Sequence, residues 1–163
     1  MSTYDWSQFT QRISIQATVK VIYEAWTTRS NLEKWFLRKA EFRKADGTIR
    51  EPDSSIQAGD SYEWMWHGYD TKENGTVTEV NGKDLLRFTF AKCDVTVSIS
   101  EEDGECTCDL TQSNIPTDEE SKAKLHVGCT EGWTFYFANL KSILEVGHDL
   151  RNKKPQKKTI ETS

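Results

Sequence analysis

The sequence has no long apolar run, no excess of basic residues and no paired metal-binding motif, and each absence excludes a class of protein. No segment approaches the ~20 consecutive apolar residues that a membrane-spanning helix needs, so no membrane span is predicted. The formal net charge is −5, which argues against a nucleic-acid surface because phosphate contacts need clustered Lys and Arg. Residues 1–10 lack the features of a secretory signal, so we expect a cytoplasmic location.

The cysteines and histidines lack metal-ligand spacing. A tetrahedral zinc site needs four ligands, usually in two close pairs, and neither Cys-x-x-Cys nor His-x-x-x-His occurs. Cys106 and Cys108 lie two apart on a predicted strand and would both point inward, where free cysteine behaves as a small hydrophobe. We therefore expect reduced thiols, with no metal and no cofactor. The residues concerned are Cys93, Cys106, Cys108, Cys129, His67, His126 and His148.

Apolar and polar residues alternate along six segments, which is typical of half-buried strands. The first of these predicted strands is Phe9–Ile15, and the other five lie between Tyr62 and Leu110. Residues 46–59, which are rich in Gly, Pro, Asp and Ser, are expected to form a long connection. One face of the resulting sheet is polar and suited to solvent, and the other is apolar. The apolar face must therefore be buried by another element. The turn signals expected to separate the strands as tight hairpins are Glu73-Asn74-Gly75, Asn81-Gly82 and Asp103-Gly104.

Two short helices are predicted after the first strand. The apolar spacing changes to a three-and-four repeat between Val19 and Trp26, and Thr18 is available as the N-terminal cap. A second helix is expected over Asn31–Phe36.

The apolar pattern in the C-terminal third of the sequence predicts a long helix that packs on the sheet. Thr117 and Glu120 match a capping box at its start, and Gly147 can supply a left-handed stop at its end. Gly128 and Gly132 are candidate points of division. The apolar stripe of this helix is Trp133, Tyr136, Phe137, Leu140, Ile143 and Leu144.

The predicted fold class is α+β, with a curved antiparallel sheet of about six or seven strands around a long C-terminal helix. We expect one domain over residues 9–151, an N-terminal tail over 1–8 and a basic, disordered tail over 152–163. The basic run comprises Arg151, Lys153, Lys154, Lys157 and Lys158, and a solvated tail is favoured over a membrane or RNA arm.

Several local motifs add a family resemblance. The segment from Ala17 to Thr27, the pair Leu32 and Trp35, the block Gly128–Trp133 and its continuation to Arg151 resemble the START-like, or SRPBCC, superfamily with its helix-grip fold. Within it, the chain is most similar to the C-terminal-type domain of activators of the heat-shock chaperone ATPase. The likeness runs from about Phe9 to Arg151.

The resemblance implies two functions. Helix-grip domains commonly keep a space between sheet and helix, which favours binding of a small hydrophobic molecule. The alternative is a co-chaperone in the stress response that modulates a heat-shock chaperone ATPase. Full-length activators have a further N-terminal domain that contacts the chaperone, and only residues 1–8 precede the first strand here. Phe135 and Val146 lie off the helix stripe, so both a monomer and a homodimer remain open.

The aromatic and aliphatic residues of the apolar faces could form either a dense core or the walls of a ligand cavity. The inward positions hold almost no carboxylate, lysine or histidine, so an enzyme, such as a cyclase, is disfavoured and no catalytic residue is assigned. His148-Asp149 fits a helix end better than a catalytic dyad. The predicted cavity-lining residues are Trp26, Trp35, Tyr62, Trp64, Trp66, Leu86, Phe88, Val97, Cys108, Trp133, Phe137 and Leu140.

Overall fold

The fold consists of a seven-stranded sheet and of helices that pack against one of its faces. The computed structural model describes residues 3–154. The strands are β1 (Phe9–Ile15), β2 (Lys39–Arg43), β3 (Ser61–Met65), β4 (Lys72–Val80), β5 (Leu85–Phe90), β6 (Cys93–Glu102) and β7 (Glu105–Ser113). The helices are α1 (Val19–Thr27), α2 (Arg29–Trp35), α3 (Glu119–Ser121), a π-helical segment (Lys122–Val127) and α4 (Gly128–Val146).

The sheet is antiparallel throughout, with strand order β1-β7-β6-β5-β4-β3-β2. Its apolar face packs against α1, α2 and α4, and its other face is polar. The predicted α+β helix-grip architecture, with two short helices after β1 and a long helix at the C-terminal end, is confirmed. Among residues 3–154, no helix combines the length and the apolar content that crossing a bilayer requires.

Strand β2 was not assigned from the sequence. Its burial alternates, with Ala40 and Phe42 inside and Lys39, Glu41 and Arg43 more exposed. Two apolar residues in so short a segment give too weak a period to recognise. The charged side chains suit its position at the edge of the sheet, where they disfavour pairing with another strand.

The predicted turn at Glu73-Asn74-Gly75 is wrong, because these residues lie inside β4. Gly75 stands opposite Tyr62 in the register of β3 and β4. A Cβ atom at Gly75 would lie 2.5 Å from the Tyr62 ring, so the glycine makes room for an aromatic side chain and does not form a turn. The hairpin between β3 and β4 lies in residues 66–71 instead.

Two caps were predicted at helix starts. One is found at the predicted residue, and the other lies one residue further along the chain. The Thr18 hydroxyl accepts a hydrogen bond from the Val21 backbone N–H at 3.1 Å, as predicted. At the C-terminal helix the predicted cap at Thr117 is wrong by one residue. The Asp118 carboxylate caps α3 by accepting from the Ser121 N–H at 3.1 Å.

The helical run is not broken at Gly128 or Gly132. Gly128 marks the change from π-helical to α-helical hydrogen bonding, and Gly132 lies buried inside α4. Gly147 ends α4 with φ 72°, the predicted left-handed stop, and its N–H bonds the Ile143 carbonyl oxygen at 3.1 Å.

Buried hydrogen bonds connect the segment after α4 to helix α2. The Asn139 amide nitrogen donates to the Trp35 carbonyl oxygen at 2.7 Å and to Asp149 at 3.1 Å, and its oxygen accepts from the Leu150 N–H at 2.7 Å. Asp149 is therefore a partner of Asn139 and of Arg151, which corrects its assignment as a helix cap with His148.

Arg151 is 9% exposed and belongs to the packed domain, so counting it with a solvated basic run was wrong. Lys153 and Lys154 are exposed. Lys157, Lys158 and the rest of the predicted tail beyond residue 154 lie outside the described residues, and the domain limits stay a prediction.

Candidate functional site

The centre of the molecule, between the sheet and α4, is packed by aromatic side chains. The ring centroids of Trp133 and Phe88 are 6.5 Å apart, and Trp26 lies 6.1 Å from Trp133 and 6.2 Å from Phe137. The cavity at this level measures about 10 Å³, no more than the roughly 10–15 Å³ that one water needs. It is lined by Trp26, Leu32, Phe42, Ile56, Trp64, Val77, Leu86 and Phe88.

A larger cavity of about 380 Å³ opens where the π-helical segment and the start of α4 pass the ends of β3 and β5. This volume is within the range of small-molecule sites. We call it the aromatic groove. Its lining residues are Phe36, Trp66, Phe90, Lys124, Gly128, Cys129, Glu131, Gly132, Trp133 and Tyr136.

Five aromatic rings form the groove walls and support one another. The centroid of Trp133 is 5.2 Å from Phe36 and 5.2 Å from Phe90, and Trp66 is 6.1 Å from Phe90. Phe36 also contacts Tyr136 edge-to-face at 5.0 Å. These separations are those of favourable aromatic pairs, so the walls are held in place before any ligand arrives.

Two glycines on the helix leave space on the groove side. Gly128 and Gly132 are four residues apart and therefore lie one above the other on one helix face. The nearest atom to a Cβ built at Gly128 is the Ala123 carbonyl oxygen at 3.7 Å, so a side chain could enter there without a clash. The π-helical segment that precedes Gly128 is a type of irregularity often found at functional sites.

A hydrogen bond to Gln112 holds the Trp133 side chain in place, and Gln112 was not among the predicted site residues. The Trp133 indole N–H donates to the Gln112 side-chain oxygen at 3.0 Å, and Gln112 is fully buried on β7. Because a buried indole N–H needs an acceptor, this bond sets the orientation of the ring in the groove wall.

The predicted cavity-lining residues divide between three places. Trp66 and Trp133 line the aromatic groove. Trp26, Trp64, Leu86 and Phe88 line the small central cavity. The remainder, buried in the core, are Trp35, Tyr62, Val97, Cys108, Phe137 and Leu140. Ligand contact for all of them stays a prediction.

The other three aromatic residues of the groove walls, Phe36, Phe90 and Tyr136, were not among the predicted cavity-lining residues. Phe90 is the last residue of β5, and Phe36 directly follows α2. Side chains at the ends of helices and strands line the open end of the space between helix and sheet, whereas side chains in the middle of these elements fill that space. The groove residues could therefore have been selected by their position at the ends of elements, together with the two glycines four residues apart.

Three titratable groups of the groove lining are paired or protonated. The Lys124 ammonium pairs at 2.8 Å with Glu120, which is not a lining residue. Burial raises the pKa of the Cys129 thiol to about 11, and burial also raises the pKa of the Tyr136 hydroxyl. Near neutral pH both groups are protonated, so neither is poised as a nucleophile or base.

We expect slow alkylation of Cys129 by iodoacetamide at pH 8. With a pKa of about 11 its thiolate fraction is about two orders of magnitude below that of a free cysteine of pKa ~8.5. The rate should rise about tenfold for each pH unit between 8 and 10. Mass spectrometry of tryptic peptides over time measures it, with urea-unfolded protein as the control. A folded-state rate equal to the unfolded one would contradict the assignment.

Comparison with known proteins places the chain in a family. Residues 16–145 match the family described as "Activator of Hsp90 ATPase homolog 1-like protein". No curated protein sequence matches the chain.

Several solved structures share the fold at low sequence identity. Protein SSP2350 from Staphylococcus saprophyticus is 17% identical with a TM-score of 0.70, over 88% of this chain and 96% of that one. Protein NE0264 from Nitrosomonas europaea is 12% identical with a TM-score of 0.68, over 88% and 97%. The Aha1 dimer from Colwellia psychrerythraea is 18% identical with a TM-score of 0.65, over 86% and 97%.

The match covers most of the chain, and the fold agrees with it. The protein therefore belongs to the family of Activator of Hsp90 ATPase homolog 1-like proteins, within the START-like, or SRPBCC, superfamily.

Proposed function

We propose that the protein binds a small hydrophobic molecule, without catalysing a reaction on it, in the aromatic groove between the C-terminal helical segment and the sheet. The observation that supports this most is a cavity of about 380 Å³ walled by five aromatic side chains in a molecule whose centre is otherwise packed. An apolar ligand would gain about 25 cal/mol for each Å² of apolar surface removed from water.

The binding mode proposed here differs in position from a ligand enclosed between the sheet and the middle of α4. The groove lies at one end, where Trp66 and Trp133 contribute their rings, and the ligand would rest on the bare backbone at Gly128 and Gly132. Binding needs no opening of the packed centre.

Filling the groove should weaken binding while leaving the fold intact. Gly128→Leu adds a side chain whose Cβ would make only an ordinary contact, with the Ala123 carbonyl oxygen at 3.7 Å, and leucine is the better helix former by about 0.8 kcal/mol. We expect the affinity for N-phenyl-1-naphthylamine, a neutral fluorescent probe, to fall at least about tenfold. Fluorescence titration measures this change.

The matched control is Ala138→Leu, which adds nearly the same side chain on the exposed face of α4, outside the groove lining. It should bind the probe like the unmodified protein. Equal affinity in the protein with Gly128→Leu and in the unmodified protein, or no probe binding by the unmodified protein, would contradict the proposal.

A second candidate function is modulation of an Hsp90-type chaperone ATPase in the stress response, supported by the family match over residues 16–145. Its test is the ATPase turnover of a purified Hsp90 with and without this protein, together with co-sedimentation of the two. An increase in turnover with a detectable complex is expected. Unchanged turnover without a complex would exclude this function, whatever the result of the probe titration.

Assembly is a separate question. A monomer and a homodimer are both consistent with the proposal, because the groove is lined by residues of one chain. Sedimentation velocity distinguishes the monomer from the homodimer. The cytoplasmic location stays a prediction.

A further inference from the structure

The aromatic groove is charged unequally along its length. Its lining on the helical side runs from Lys124 to Tyr136, a rise of roughly 18 Å at 1.5 Å per residue. At the Lys124 end the lysine is neutralised by Glu120. The exposed Glu131, further along the lining, is a negative charge. The Lys124 end of the groove therefore carries no unpaired cation.

An arginine that is not itself a lining residue lies next to the Tyr136 end of the groove, and it has no acidic partner among the described residues. Arg38 lies two residues after Phe36, a groove residue, and its Nε donates to the carbonyl oxygen of Trp66, another groove residue, at 3.3 Å. Its Nη2 donates to the Tyr69 carbonyl oxygen at 3.4 Å and approaches the Met65 sulfur at 3.9 Å. Within residues 3–154, no carboxylate lies within ion-pair distance of this guanidinium, which is exposed to solvent.

Neighbouring groups add to the positive field at this end. Arg151 and Lys153 both approach one carboxylate, that of Asp149, at 2.9 and 3.1 Å. Two cations thus share a single anion. With Arg38 counted, three positive charges act on His67 against the one negative charge of Asp149.

The field reaches side chains at the edge of the groove. The pKa of the His67 imidazole is lowered, first by burial and then by Arg151, Lys153 and Arg38, while Asp149 opposes them. His67 directly follows Trp66. The hairpin that contains it also carries an exposed carboxylate, Asp70, and the test below therefore includes a competitor with a cationic head group.

We propose that the aromatic groove takes an amphipathic carboxylic acid, with its apolar body on Trp66, Phe90 and Trp133 and its carboxylate at Arg38. The inference rests on the proposed ligand-binding function and names the chemical class of the ligand. Guanidinium is suited to this role because its planar set of N–H donors matches a carboxylate, and Arg38 uses only Nε and Nη2 for protein carbonyls.

The test compares three compounds with a twelve-carbon chain as competitors of N-phenyl-1-naphthylamine. They are dodecanoate, dodecan-1-ol and dodecyltrimethylammonium, which have similar apolar chains and differ in head-group charge. The two ionic compounds are used below their micelle-forming concentrations and the alcohol below its solubility limit. We expect dodecanoate to displace the probe at about tenfold lower concentration than dodecan-1-ol, the effect of one charge-assisted hydrogen bond.

Two variants locate the head group. Arg38→Gln should remove the preference for dodecanoate and leave displacement by dodecan-1-ol unchanged. Arg87→Gln is the control, because it also removes one positive charge but lies exposed on the polar face of β5 near Glu79. It should keep the preference.

The outcomes separate the two proposals. If the probe binds but the acid and the alcohol displace it equally, or the ammonium compound does so best, the carboxylate inference is overturned and the hydrophobic groove stands. If the preference survives in the protein with Arg38→Gln, the head-group position is overturned. If the probe does not bind, both proposals fail.

Discussion

Replacing Arg151 by methionine is expected to lower the free energy of unfolding by about 3–5 kcal/mol. The Arg151 guanidinium donates to the carbonyl oxygens of Glu33, Lys34 and Leu37 at 3.1, 2.9 and 3.1 Å, and it pairs with Asp149 at 2.9 Å. These carbonyls are at the C-terminal end of α2, where the helix itself provides no donors. Methionine fills much of the volume but leaves the three carbonyl oxygens without their donor and removes the guanidinium from the Asp149 carboxylate.

The measurement is urea unfolding followed by tryptophan fluorescence. The matched control is Lys153→Met, which removes another cation from Asp149 but from an exposed position, and its expected effect is below about 0.5 kcal/mol. Equal losses for the two variants would show that Asp149 charge pairing matters and that the helix-end carbonyls do not.

The effect should also depend on pH. Burial alone would raise the pKa of the Asp149 carboxyl, but hydrogen bonds from the Arg151 side chain and backbone and from Lys153 lower it below its usual value. A carboxylate with a depressed pKa in the folded state stabilises the protein above its unfolded pKa of ~3.9, and this contribution is lost as the pH falls. The difference between the unmodified protein and the Arg151→Met variant should therefore shrink below about pH 4.

Arg151 also illustrates what could be predicted from the sequence. The likeness to the superfamily extended to this residue, yet its basic neighbours suggested a solvated run. Charge composition describes an average environment, whereas the partners of Arg151 come from helix α2, more than 110 positions away in the chain. Contacts of this kind depend on the tertiary path and leave no local pattern.

Periodicity, by contrast, predicted the elements that bury one face. The strand Phe9–Ile15, the cap at Thr18 and the stop at Gly147 all agree with the structure, because each depends on residues adjacent in sequence. The same apolar parity could not distinguish a packed centre from a cavity. That difference depends on how rings such as Trp26 and Trp133 interlock, which is a property of shapes in three dimensions.

Gly75→Ala is expected to destabilise the fold by about 2–3 kcal/mol, although the same exchange at an ordinary strand position stabilises by about 0.5–1 kcal/mol. The Tyr62 ring covers Gly75, and a Cβ would lie 2.5 Å from its Cε2, Cζ and Oη atoms. Tyr62 is tightly held, because its hydroxyl donates to the Thr89 carbonyl oxygen at 2.5 Å and its ring stacks on Trp64 at 3.8 Å. The methyl group must therefore displace a ring that is fixed on two sides.

A double-mutant cycle with Tyr62→Leu separates this clash from any intrinsic effect of the glycine. Once the ring is absent, Gly75→Ala should be neutral or slightly stabilising, which gives a coupling energy of about 2–3 kcal/mol. Thermal or urea unfolding of the four proteins provides the values. A cost that is the same with and without the ring would mean that β4 requires glycine for its backbone conformation. In that case the position of Tyr62 over Gly75 would be a consequence of the strand geometry and would not explain why glycine occupies this strand.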